Sequence, residues 1–183
     1  MYESYQHIKF ERRGRILTVV MNRPEVKNAA NVRMHNELSR VFRDVAADPD
    51  AGVIVLTGAG DAFSSGGDIR AMKEKIADHT LWNDTVDEAR NLFYSILDLD
   101  KPLIARVNGA ATGLGATLAV YADIAIAGES AVIGDPHVKV GLVAGDGGAL
   151  MWPMLIGFQK AKELLLLGDN IEAKEAARLG LIT

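Results

Sequence analysis

The chain has 183 residues, 49% of them apolar and 24% charged, with 20 basic and 24 acidic side chains and a net charge of −4. That length makes one domain, which buries about 68–70% of its unfolded surface and needs no staple. Cysteine is absent, which excludes disulfides and thiolate chemistry. The charges of both signs are interspersed, so the clustered basic footprint of a nucleic-acid binder is not expected, and an anionic ligand would be met by a local patch.

Residues 1–7 carry no basic-then-apolar signal pattern, and the longest apolar stretches, such as Leu164–Leu167, fall far short of a membrane span of about 20 residues. The expectation is a soluble cytoplasmic protein with no membrane partner. Ile8–Arg12 alternates apolar and polar, and Gly14 leads into the β-rich run Ile16–Met21, which predicts a hairpin-like start. Asn31 can cap a helix whose residues Met34, Leu38, Val41, Phe42 and Val45 form one stripe. Val53–Thr57, bounded by Gly52 and Gly58, is a short continuous apolar run and predicts a strand buried on both faces. Helices are expected from Asp68 to about Ala77 and from Asp84 to about Leu97. Further buried strands are expected at Leu103–Val107 and Ile124–Ala127, with a helix opened by Gly113 between them. The tail from Ala149 reads as helical pieces interrupted at Pro153 and Gly168. Alternating strands and helices predict a single α/β domain over 1–183 with a mainly parallel sheet.

Two glycine-rich turns stand between a buried strand and a helix, Thr57–Asp68 and Asn108–Ala116. A helix N-terminus leaves N–H donors unpaired and carries a partial positive charge, and glycine lets a ligand approach the backbone. Two such turns at the ends of two strands in one sheet can converge on one oxygen atom, as an anion developing on a carbonyl requires. Tight strand-to-helix packing explains the same glycines equally well. Neither turn completes G-x-G-x-x-G, because Phe63 and Leu118 stand at the third glycine position. His7, His35, His79 and His137 are scattered without ligand spacing, so no metal site is expected, and the first three are expected at the surface. Ala62-Phe63-Ser64-Ser65-Gly66 also reads as a variant nucleophile elbow, which would make Ser64 the nucleophile of a hydrolase.

At these same residues the sequence resembles the crotonase (enoyl-CoA hydratase/isomerase) superfamily, over nearly the whole chain. Asn22–Ala29 looks like its first coenzyme A loop and Ala62–Ile69 like its first oxyanion-hole segment. Lys101–Gly109 and Tyr121–Ala127 look like the strands framing the second. The resemblance implies a spiral of ββα units with mainly parallel sheets, assembled as trimers or hexamers and acting in fatty acid metabolism on an acyl-CoA thioester, with coenzyme A as part of the substrate and no tightly bound cofactor. It places the thioester oxygen between the N–H groups of Gly67 and Leu114, the latter a glycine in most members. Coenzyme A would lie along Lys27, Asn28 and Ala29 and along Ser64, Ser65, Gly66, Asp68 and Ile69. It also implies that Thr183 precedes the helical C-terminal segment of the family.

Typical hydratases of this superfamily carry one glutamate inside the second helix and another in the following loop; the corresponding residues are Thr117 and His137. Thr117 is no acid near neutral pH. Gly134-Asp135-Pro136-His137 and Gly145-Asp146-Gly147-Gly148 offer a replacement, with His137 and Asp146 as the acid/base pair. Their interval resembles that of 6-oxocamphor hydrolase, a crotonase relative that cleaves cyclic β-diketones by a retro-Claisen reaction, and this is the alternative activity. His137 packing beside Pro136 with Asp146 as a helix cap is the purely structural reading, and a non-catalytic acyl-CoA scaffold would go with it.

Overall fold

The computed structural model describes residues 2–72 and 78–183. Strand β1 (Ile8–Arg13) pairs antiparallel with β2 (Ile16–Met21) through a turn at Gly14, whose φ of +59° suits glycine. Helix α1 (Val32–Ala46) is capped by the Asn31 side chain, which accepts from Met34 N at 2.9 Å. Such a cap contributes about 1 kcal/mol. Its predicted stripe is buried in full against the sheet. Strand β3 (Val53–Gly58) follows, then the short β4 (Ala62–Ser64) and a helical turn over 69–72. The remainder of the helix expected to Ala77 lies outside the described residues.

Helix α2 (His79–Leu97) begins before the expected Asp84, because Asp78 caps it by accepting from Thr80 N at 2.8 Å. The side chain of His79 lies outside the described residues. Next come β5 (Leu103–Val107), β6 (Ala110–Thr112), α3 (Leu114–Val120), β7 (Ile124–Ala127) and β8 (Val132–Gly134). A 3₁₀ turn at His137–Val140 leads to α4 (Gly148–Ile156), α5 (Phe158–Leu167), β9 (Ile171–Glu172) and α6 (Ala173–Leu179).

Two sheets result, in the orders β1-β2-β3-β5-β7 and β4-β6-β8-β9. Within them β2-β3-β5-β7 and β4-β6-β8 run parallel. After the opening hairpin β1-β2, which lies wholly in the larger sheet, the pairs β3-β4, β5-β6 and β7-β8 each send their first strand to the larger sheet and their second, three-residue strand to the smaller one. The expected α/β spiral of ββα units is therefore present. Strands β4, β6 and β8 are too short to show an alternating pattern, and β4 and β6 are contained in the two glycine-rich turns.

Three expectations are corrected. Ile124–Ala127 is an edge strand, not a doubly buried one, and Ile126 is 57% exposed. Pro153 lies inside α4, which ends at Gly157 with φ +78°. His35 is buried, 8% exposed, where α1 meets α2, with Nδ1 on Glu88 Oε2 at 2.6 Å. Among the described residues no helix is long and apolar enough to cross a membrane.

Candidate active site

The two glycine-rich turns touch. Gly66 has φ +89°, and a Cβ there would stand 2.7 Å from Thr112 O and 3.4 Å from Leu114 N. Only a glycine lets the first turn press so closely on the start of α3. The stretch from Lys27 to Asp68 is laced together alongside: Ser65 N donates to Lys27 O at 2.9 Å, Ala30 N to Gly66 O at 2.8 Å and Asp68 N to Ala30 O at 3.0 Å.

That lacing sets the direction of one amide. The bonds on either side of Gly67 both go to Ala30, so in this extended stretch the Gly67 N–H turns to the opposite side. Leu114 is the first residue of α3, where an N–H has no intrahelical acceptor. Gly113 N donates to Gly134 O at 3.0 Å and anchors that turn to β8. Among the described residues neither the Gly67 nor the Leu114 N–H has an acceptor. Both residues line one cavity of ≈ 490 Å³, together with Asp68, His137 and Asp146. That volume lies in the range of small-molecule sites.

One wall of the cavity is apolar. Trp82, Val86, Ala89 and Phe93 face it from α2 at helical spacing, joined by Ala71, Met72, Leu142 and Val143. His35 lines it as well. Sequence reasoning missed both His35 and the α2 wall. His35 shares a helix face with Leu38 and Phe42, three and seven residues on, and that position was the available signal.

The His137 ring sits over the second turn, its Cε1 3.6 Å from where a Gly113 Cβ would be. Its Nε2 stands 3.6 Å from Asp146 Oδ2, longer than a direct hydrogen bond. Its Nδ1 is hydrogen-bonded to Asp135 Oδ1, a partner not anticipated in the sequence although Asp135 lies only two residues away. Thr117 Oγ1 donates to Asp146 Oδ1 at 3.2 Å. Asp135, His137, Asp146 and Thr117 thus form one polar chain ending at α3. Burial lowers the His137 pKa, but the hydrogen bond to Asp135 and the charges of Asp146 and Asp135 outweigh it, and the net shift is upward from 6.5. Burial raises Asp146 from 3.8, and the nearby Asp135 charge adds to this, against the opposing pull of His137 and the Thr117 hydrogen bond.

The remaining expected site residues lie along the rim or in the frame. Lys27 is exposed with φ +52°, Ser65 is half-buried and Ile69 exposed. Ala29 is buried beside them. Asn28 is wholly buried, its amide donating to Ala59 O and Ala62 O and its carbonyl accepting from Arg23 N, so its side chain braces the two loops. Arg23 reaches Asp68 Oδ2 at 3.3 Å. Ser64 is 1% exposed, donates to Asn28 O at 2.9 Å and accepts from Gly66 N at 3.2 Å. That burial and those bonds rule out the nucleophile-elbow reading.

Comparison with known proteins fits this arrangement. The sequence profile described as enoyl-CoA hydratase/isomerase matches residues 11–183. The chain is 38% identical over 173 residues to a Dictyostelium discoideum protein named "Probable enoyl-CoA hydratase, mitochondrial", covering 94% of this chain and 61% of that one. It is 36% identical over 178 residues to the short-chain-enoyl-CoA hydratase of Clostridium acetobutylicum, covering 96% and 67%. A crystal structure of an enoyl-CoA hydratase/isomerase from Mycobacterium paratuberculosis superposes with a TM-score of 0.96 at 40% identity, over 99% of this chain and 73% of that one. The chain therefore spans roughly three fifths to three quarters of the length of these relatives, and it belongs to the enoyl-CoA hydratase/isomerase family.

Proposed function

We propose that the protein is an acyl-CoA enzyme that makes and protonates a thioester enolate, catalysing hydration or double-bond migration of an enoyl-CoA. The observation that carries this reading is the pair of acceptor-free amides, Gly67 and Leu114, on the wall of a cavity that also holds His137 and Asp146. Two such donors stabilise an oxygen only as it gains charge, which is when the barrier is crossed. In double-bond migration a base takes the proton from the carbon next to the thioester. The electron pair moves onto the thioester oxygen between the two amides, and the proton returns two carbons further along. In hydration a water oxygen adds to the β-carbon and the α-carbon receives the proton. Either course needs a group that takes and gives a proton near neutral pH, and His137 with Asp146 fills that role where other members carry glutamates.

The apolar α2 wall would take the acyl chain, and the laced rim at Lys27–Ala29 and Ser64–Ile69 would take coenzyme A, with Lys27 available to a phosphate. No separate cofactor enters this chemistry. The apolar side chains exposed on α4 and α5, Leu150, Met154, Phe158 and Leu166, suit association with further copies as a trimer or hexamer. The cytoplasm is the compartment proposed. The names of the relatives favour this reading over retro-Claisen hydrolysis.

The test is turnover of a 3-enoyl-CoA and of a 2-enoyl-CoA, read as gain or loss of the conjugated thioester absorbance, with His137→Ala and Asp146→Ala beside the unaltered chain. Loss of turnover on the order of 10²-fold or more in His137→Ala is expected. Failure of the unaltered chain to bind or convert either thioester ends the proposal.

A further inference from the structure

We propose that Asp135 is the positioning residue of His137, holding the imidazole proton on Nδ1 so that Nε2 is the nitrogen presented to the cavity and to Asp146. This rests on the acid/base reading of His137 above. A carboxylate only accepts, so the Nδ1–Oδ1 hydrogen bond requires the proton on Nδ1. Oδ1 also accepts from His137 N at 3.3 Å, which ties the backbone and the ring of one residue to a single oxygen. Neutral imidazole then has its one lone pair on Nε2, 3.6 Å from Asp146 Oδ2.

The place of Asp135 is built for a carboxylate. The residue is 1% exposed and does not line the cavity, so it acts through His137 and touches no substrate. Among the described residues its Oδ2 has no hydrogen-bond partner, and it faces the first turn of α4. A Cβ on Gly148 would come closer to that oxygen than the 3.0 Å side chains tolerate, so glycine there makes the room. The N-terminal end of α4 supplies partial positive charge where the oxygen lacks a donor. The preceding residue, Gly134, accepts from Gly113 N, so one turn after β8 orients both the imidazole and the Leu114 amide.

The groups facing His137 are Asp135 from its own turn and Asp146 from the loop before α4, with Thr117 and Tyr121 of the α3 region behind Asp146. Replacing the carboxylate by an amide removes the charge and allows a donor to face Nδ1, which favours the opposite tautomer, in which Nε2 carries the proton and cannot accept another. The experiment is ¹⁵N imidazole NMR on the chain and on Asp135→Asn, with turnover of an enoyl-CoA measured across pH on both. His137 is expected as the Nδ1–H tautomer in the unaltered chain and as the Nε2–H tautomer, or a mixture, in Asp135→Asn. The variant's kcat should fall on the order of 10²-fold, with a lowered His137 pKa and little change in KM. An Nε2–H tautomer in the unaltered chain overturns the proposal, whether or not the variant folds. So does a His137 titration and tautomer unchanged in Asp135→Asn. The acid/base reading fails separately, if His137→Ala keeps full turnover.

Discussion

Gly115, the second residue of α3, packs directly on Ser64 at the end of β4. A Cβ at Gly115 would fall under 3.0 Å from the Ser64 carbonyl oxygen and 2.9 Å from its Cβ. Gly115 does not have a positive φ, so space and not conformation demands glycine there. The contact joins the turn bearing Gly67 to the helix bearing Leu114.

Gly115→Ala should therefore act on stability and catalysis together. Alanine gains up to about 1 kcal/mol in helix propensity over glycine. Overpacking against a backbone carbonyl costs about 1–3 kcal/mol, because no rotamer change relieves it. The expected result is a lower Tm and, under the proposed function, a fall in kcat of at least about tenfold, since misplaced donors would hold a developing oxyanion less well. A variant with wild-type Tm and kcat would show that this contact does not set the amide spacing.

Much of this frame was legible in the sequence because burial repeats along it. The stripe on α1, the Asn31 cap and the runs at β3 and β5 each follow from a period or a cap that one element carries alone. The candidate site residues Gly67, Leu114, His137 and Asp146 follow from the turns and the family resemblance, and the fold brings all four to one cavity. What escaped was set by contacts between elements. The Asp135 bond to His137 depends on how the chain turns at Pro136. The burial of His35 depends on α2 crossing α1, and the edge position of β7 on sheet order. A local pattern marks the face of α1 that carries His35 but not the helix that covers it, and it encodes neither of the other two.

The pH dependence of stability should carry the mark of the polar chain. His137 and Asp146 both hold their protons more tightly folded than unfolded, so each contributes stability that is complete below its unfolded value and is lost as pH rises through the folded one. For Asp146 the loss begins near 3.8 and for His137 near 6.5. Each unit of separation corresponds to about 1.4 kcal/mol. In Asp146→Asn one contribution disappears and His137 loses one of the charges that raise it, so stability should decline less steeply with rising pH. Urea unfolding at a series of pH values reads this directly, and a difference between the two proteins that does not vary with pH would contradict it.

Chain-length preference should respond to the α2 wall. Ala89 faces the cavity between Val86 and Phe93, and a larger side chain there projects into the space assigned to the acyl group. Ala89→Phe should leave a four-carbon enoyl-CoA nearly unaffected and reduce kcat/KM for long-chain substrates by tenfold or more, since even one methylene in an apolar pocket commands about 1–3 kcal/mol. Equal losses for short and long substrates would move the acyl group to another part of the cavity.

Glu37 offers a test of stability away from the chemistry. It is 1% exposed on α1 and its two oxygens accept from Gln6 N at 2.8 Å and His7 N at 2.9 Å, which fastens the N-terminal stretch before β1 to the helix. Bonds to a charged acceptor are worth about 1.5–3 kcal/mol each, and removal leaves two amides short of a partner. Glu37→Ala should lower unfolding free energy by about 2–4 kcal/mol, with faster amide exchange at Gln6 and His7. Glu37→Gln keeps one acceptor and should lose less. Glu37 does not line the cavity, so acyl-CoA affinity in the folded variant should match the unaltered chain. If both substitutions left the urea midpoint and the exchange rates unchanged, the N-terminal stretch would owe its position to the packing of Tyr2, Tyr5 and Phe10 instead.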